Sequence, residues 1–257
     1  MSQTGVSVTV IGFVRDQPSY LNSHYTQHVK RFATAQSLEA YAEKAMRPAI
    51  GKRSCDPEQL FGWLQDHPAV HAVFFPYGRS ITPPPALKDC PKDPFAQLIH
   101  CLGIPETVQF KPVANQNSQP GDLAIRAALQ LSQELKREGV RLGKRAKRAR
   151  TLLCREAERR NWMETPYMGV DSRLNRRIRA HFAAANNRFA NRIWGCPWDQ
   201  IFSPDTAAQS RIPSAAEQQA IDQAVRRIRR RLIPAAQRLW SWLPFPAGDL
   251  GRKKERC

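Results

Sequence analysis

The sequence is short of acid. Its 257 residues hold 40 lysines and arginines against 22 aspartates and glutamates, a formal charge of +18. That imbalance disfavours cationic ligands. It favours anions: nucleotides, sulfated or acidic glycans, nucleic acid, or an anionic membrane surface. Cysteine is sparse too. Cys55, Cys90, Cys101, Cys154, Cys196 and Cys257 form no C-x-x-C pair, and no histidine is spaced to complete a zinc finger. Such cysteines read as reduced thiols, and no metal site is expected. No apolar run approaches the roughly 20 residues of a membrane span. The opening Met1 to Gly5 is polar and the apolar run behind it is broken by Arg15, so no signal peptide is predicted. A cytoplasmic chain is expected, with the inner face of the membrane as a place of peripheral attachment. A G-x-x-x-x-G-K-[ST] phosphate loop is also missing. Gly139, Gly143 and Lys144 have the wrong spacing, and Gly51-Lys52-Arg53-Ser54 lacks the first glycine.

What is present centres on residues 6–31. Val8, Val10, Ile11, Phe13 and Val14 form a short apolar run rich in β-branched residues, which predicts a strand buried on both faces, as in a parallel sheet. Arg15 ends the run. Asp16 or Gln17 can cap a helix whose first turn accepts Pro18, because proline lacks only an N–H that would go unpaired there. Ser23 falls inside that helix. In open α/β sheets ligands bind at the carboxyl ends of strands. An arginine at such an end, with a helical hydroxyl nearby, suits one phosphate, since its fork donates two parallel charge-assisted bonds.

A strand, Arg15, an eight-residue step to Ser23, then Tyr25 one place beyond His24 resembles the 3′-phosphate-binding segment of sulfotransferases. The wording of residues 14–30 is most similar to the bacterial sulfotransferase-like branch. Similarity continues through residues 76–79, 93–105, 115–135 and 179–202, so it covers most of residues 6–205, though only the first block is specific. The resemblance implies an α/β fold, a short parallel sheet flanked by helices, as part of a P-loop-like sulfotransferase fold. It implies 3′-phosphoadenosine 5′-phosphosulfate (PAPS) as donor and adenosine 3′,5′-bisphosphate as the nucleotide product. Arg15 and Ser23 would hold the 3′-phosphate. His24, His28 and Arg79 are candidates for the side facing the acceptor, an unidentified hydroxyl such as that of a carbohydrate. The family's 5′-phosphosulfate loop and catalytic base lie upstream of the Arg/Ser segment and have no counterpart here. Residues 1–205 therefore read as an amino-terminally incomplete sulfotransferase-like domain. No catalytic residue is named, and turnover by this chain alone is not expected.

Further along, residues 18–46 read as helix, broken near Phe32, with Tyr20, His24, Gln27, His28 and Arg31 on one face. Asp56-Pro57 and Asp93-Pro94 open helices. Residues 70–75 read as a second strand. Ser118 and Pro120 mark the start of a helix over 121–138. Residues 140–160 are strongly basic with a weak apolar side. Asp171 or Ser172 caps a helix bearing Leu174, Ile178, Phe182, Ala185, Phe189 and Ile193, stopped by Gly195. Asn186 and Asn187 read as structural.

Residues 206–257 read as a basic, amphipathic, helical carboxyl extension. Ser214 and Glu217 suit a capping box. Ile221, Val225, Ile228 and Leu232 share one side, arginines surround it, and Trp240, Trp242, Leu243 and Phe245 follow. The pattern fits docking on the domain, an oligomer contact, an anionic membrane surface or nucleic acid. The alternative function is accordingly a non-enzymatic nucleic-acid- or polyanion-binding protein that uses the basic helices after Val140. If the first reading holds, deletion beyond Pro204 should be tolerated.

Overall fold

A computed structural model describes residues 7–47, 55–78, 81–105, 108–111, 121–140, 142–163, 165–203 and 211–233. The candidate Arg79, the helix-start signals at Ser118 and Pro120, and Trp240, Trp242, Leu243 and Phe245 lie outside these residues.

Strand β1 (Val8–Val14) pairs in parallel with β2 (Val70–Pro76), in register from Val8 opposite Val70 to Val14 opposite Pro76. The connection between them holds α1 (Gln17–Lys30), α2 (Leu38–Met46) and α3 (Pro57–Phe61). Then come α4 (Pro94–Cys101), α5 (Asp122–Arg137), α6 (Ala146–Arg159), α7 (Ser172–Trp194), α8 (Trp198–Ile201) and α9 (Ala215–Leu232). The architecture is thus mixed, a two-stranded parallel sheet flanked by helices.

Local chemistry accounts for most boundaries. Asp56, Asp93 and Asp171 each accept a hydrogen bond from the amide three residues on, satisfying a donor that the first helical turn leaves open. Ser214 and Glu217 form the reciprocal capping box. Gly195 ends α7 in the left-handed region at φ +69°. The expected break at 18–46 is real: Phe32 takes φ +56°, and Ser37 caps the restart at α2.

The expectation that β1 is buried on both faces needs correction. Val8, Thr9 and Phe13 are exposed, and Val14 alone in the strand is fully buried. The sheet has two strands among the described residues, so each is an edge, and the helices cover it incompletely.

Two apolar clusters result. One joins α1, α5, α6, α9 and the first half of α7, through residues such as Leu21, Tyr25, Ile125, Leu131, Leu153, Ile178 and Ile228. The other joins the sheet to the second half of α7 and to α8, through Val14, Phe74, Phe189, Trp194, Trp198 and Phe202. Helix α7 therefore ties the two together. Its Trp194 indole also donates to the Phe74 carbonyl at 2.8 Å.

Helix α9 is docked. Ile221, Val225, Ile228 and Leu232 are all buried in the first cluster. Removal of everything beyond Pro204 would open that cluster, which argues against the expected tolerance of the deletion. No helix among the described residues is long and apolar enough to cross a membrane.

Candidate functional site

The site is built on the start of α1, which three polar side chains clamp in place. Asp16 occupies the cap position, but its carboxylate is not spent on its own helix. It accepts from Arg179 Nη2 at 2.7 Å and from the Trp198 indole at 3.1 Å. Burial pushes the Asp16 carboxyl above its ordinary value, against the opposing pull of the Arg179 charge and the Trp198 bond. Gln17 exchanges two amide hydrogen bonds with Asn186, at 2.6 and 2.9 Å. This pair is the structural task expected of Asn186. Asn22 donates to the Tyr167 carbonyl at 2.9 Å and accepts from the Gly169 amide at 2.9 Å.

Arg15 sits between this clamp and the end of β1. Parallel register sets it beside Tyr77, whose amide donates to the Val14 carbonyl at 2.7 Å. The guanidinium carbon lies 5.7 Å from the Tyr77 ring centroid, within reach of a cation–π attraction. Arg15 Nε donates to Ser19 Oγ at 2.9 Å. Ser23 is one helical turn further along the same face, four residues and so about 6 Å beyond Ser19. Arg15, Ser19 and Ser23 are all half-buried. Arg15 thus bonds to Ser19, and Ser23 follows one turn later on the helix face that carries Ser19. Spacing carried a signal for Ser19, since it falls at i+4 from Arg15 at the first turn of the helix.

The same helix carries a row of rings. Tyr20 stacks on His24 at 5.5 Å and 12°, and His24 lies 4.5 Å from His28 between centroids. From α2, the Tyr41 hydroxyl lies 2.7 Å from His24 Nδ1, and its ring is 5.6 Å from His28. The pair His24 and His28 is therefore brought together with two tyrosines. Periodicity placed the histidines on one face; Tyr41 comes from another helix and had no local signal. Burial, with a smaller contribution from Cys55, raises the Tyr20 hydroxyl pKa. Tyr20 thus stays a neutral hydroxyl well above pH 7. Among the described residues no group of three or more histidines, cysteines or acids could hold a metal ion.

Charge clusters elsewhere. A groove of about 630 Å³ runs between α5 and α9, lined among others by Glu134, Arg137, Asp222 and Arg229. It lies away from Arg15, and its mixed charges leave it with no strong preference of sign. No family model, curated protein or solved structure matches the chain.

Proposed function

We propose that this protein binds the 3′-phosphate end of PAPS or of adenosine 3′,5′-bisphosphate in a sulfotransferase-like manner. What supports the reading is the guanidinium of Arg15 at the carboxyl end of β1, held by Ser19 Oγ and the Tyr77 ring on the helix face that also carries Ser23. In this reading the phosphate accepts from the Nη groups of Arg15 and from the Ser23 hydroxyl. The Nε bond to Ser19 restrains the plane of the fork, which reduces the ordering cost on binding. His24 and His28 lie further along α1, and this reading assigns them to the acceptor side. In a complete enzyme, sulfuryl transfer would be in-line attack of an acceptor hydroxyl on sulfur, the sulfur–oxygen bond to the 5′-phosphate breaking as the new bond forms and the hydroxyl proton passing to a base that no residue of this chain is assigned to supply.

Titration calorimetry with adenosine 3′,5′-bisphosphate tests this. The intact protein should bind one nucleotide. Arg15→Ala should weaken binding about 30-fold, the loss of roughly 2 kcal/mol expected for a charge-assisted pair. Ser23→Ala should cost about fivefold. Equal affinity for adenosine 5′-monophosphate, which lacks the 3′-phosphate, would sink the assignment.

A further inference from the structure

The two basic stretches that sequence separates by some 60 residues are neighbours in space. Helices α6 and α9 pack side by side over Leu152, Leu153, Val225 and Ile228. Their seam is marked by one acid. Glu156 accepts from Arg159 at 2.8 Å and Arg160 at 3.3 Å on its own helix, and pairs with Arg227 of α9 at 3.5 Å. Burial works to raise the Glu156 carboxyl, but the bonds from Arg159 and Arg160 and the charges of Arg159 and Arg227 outweigh it and hold it below its ordinary value. Three guanidiniums on one carboxylate leave a local excess of two positive charges. Arg160 is half-buried and stacks on the Trp162 ring at 5.3 Å, so its role is internal. On the outer side of the seam Arg148, Arg155 and Arg159 of α6 and Arg227, Arg230 and Arg231 of α9 are exposed. Arg226, Arg227, Arg230 and Arg231 of α9, with Gln219 and Gln223, line a shallow depression of about 540 Å³.

We propose that this joined face of α6 and α9 binds the phosphodiester backbone of a nucleic-acid duplex. Three observations favour that partner over a bilayer. The apolar side of α9 is sealed inside the protein, so it has no wedge to insert among lipid chains. No large apolar side chain is exposed on either helix among the described residues. The cations on the outer face are almost all arginines, whose planar forks match phosphate oxygens. At 1.5 Å per residue, α6 and α9 extend about 20 to 27 Å, opposite a duplex that carries one charge per roughly 1.7 Å. Contacts of this kind read shape and charge rather than sequence.

The test is fluorescence anisotropy of the full chain with a labelled mixed-sequence DNA duplex of about 20 base pairs, between about 50 and 200 mM salt. The logarithm of affinity should fall against the logarithm of salt with a slope near −4, about 0.9 for each of four to five phosphates. Arg148→Gln with Arg155→Gln on α6, and separately Arg230→Gln with Arg231→Gln on α9, should each weaken binding about tenfold at 100 mM salt and reduce the slope by about 2. These four arginines hold no ion pair among the described residues, so circular dichroism should show each variant folded. Arg173→Gln with Arg176→Gln removes the same charge from the exposed side of α7 and should change affinity less than twofold. An unlabelled RNA duplex that competes as well as DNA supports backbone recognition. Equal weakening by all three variants reduces the effect to net charge and overturns the proposal. So does sensitivity to only one of the two helices, or tighter binding to phosphatidylserine-containing vesicles than to the duplex. The site is remote in sequence from Arg15, and loss of nucleotide binding in Arg15→Ala bears on the earlier reading alone.

Discussion

Arg179 is the residue on which the site's foundation rests. It donates to the Asp16 carboxylate at 2.7 Å and to the carbonyls of Phe202 and Ser203 at 3.0 Å, so it links the start of α1 to the chain after α8. Breaking a largely buried pair from one side strands the other charge. Arg179→Ala should therefore lose about 3 kcal/mol in urea unfolding, and a loss below about 1 kcal/mol would contradict the clamp. Lys30 offers a test by pH. It is 6% exposed, and burial, with the Arg150 charge, lowers its ammonium pKa below the ordinary 10.5. The native state thus holds fewer protons than the unfolded chain between the lowered value and 10.5. Stability attributable to Lys30 accordingly rises as pH rises through that window. Lys30→Met should stabilise the protein by about 1 kcal/mol at pH 7, with the gain shrinking toward pH 10.5. A gain that stays constant with pH would assign the effect to packing instead. Neither residue announced its role in sequence. Arg179 and Lys30 look like other cations of a cation-rich chain, and only burial distinguishes them.

Among the elements, α5 shows how a long helix is seated. Gly121 precedes it, and its amide donates to the Trp162 carbonyl at 2.7 Å. A Cβ there would overlap the same carbonyl oxygen. The neighbour is backbone and cannot swing aside. Gly121→Ala should destabilise by more than about 2 kcal/mol in thermal or chemical unfolding. A near-neutral effect would mean that the loop around Trp162 yields. Helices were the most legible part of the chain, since α3, α4, α7 and α9 start on Asp or Ser caps and α7 ends at glycine, all visible as short-range patterns. Strand β1 was legible as a strand but not as an edge. Its apolar run is compatible with either, and how many strands flank it depends on distant chain.

For the molecule as a whole, α9 decides how far the fold can be cut. Its buried Ile221, Ala224, Val225, Ile228 and Leu232 complete the cluster that includes Leu21 and Tyr25 of α1. A chain ended at Ser203 should lose cooperative unfolding and bind hydrophobic dyes, because exposing that much apolar surface costs several kcal/mol at about 25 cal/mol per Å². A sharp thermal transition in that truncation would show that α9 is dispensable. The same docking removes the apolar side of α9 from any membrane and leaves its polar side, arginines and glutamines, outside.

Sequence by itself determined the elements and the chemistry they carry. Caps, apolar periodicity and turn residues act over a few positions. So did the place of Arg15 at a strand end, Ser23 and His24 on one helix, and the excess of positive charge. Tertiary structure alone decided the distant partners: Tyr77 at Arg15, Tyr41 at His24, Asp16 at Arg179, Glu156 between α6 and α9. Most of these contacts join residues remote in sequence. Which surfaces meet follows from how the apolar faces of separate helices close over one another, and no local pattern encodes that.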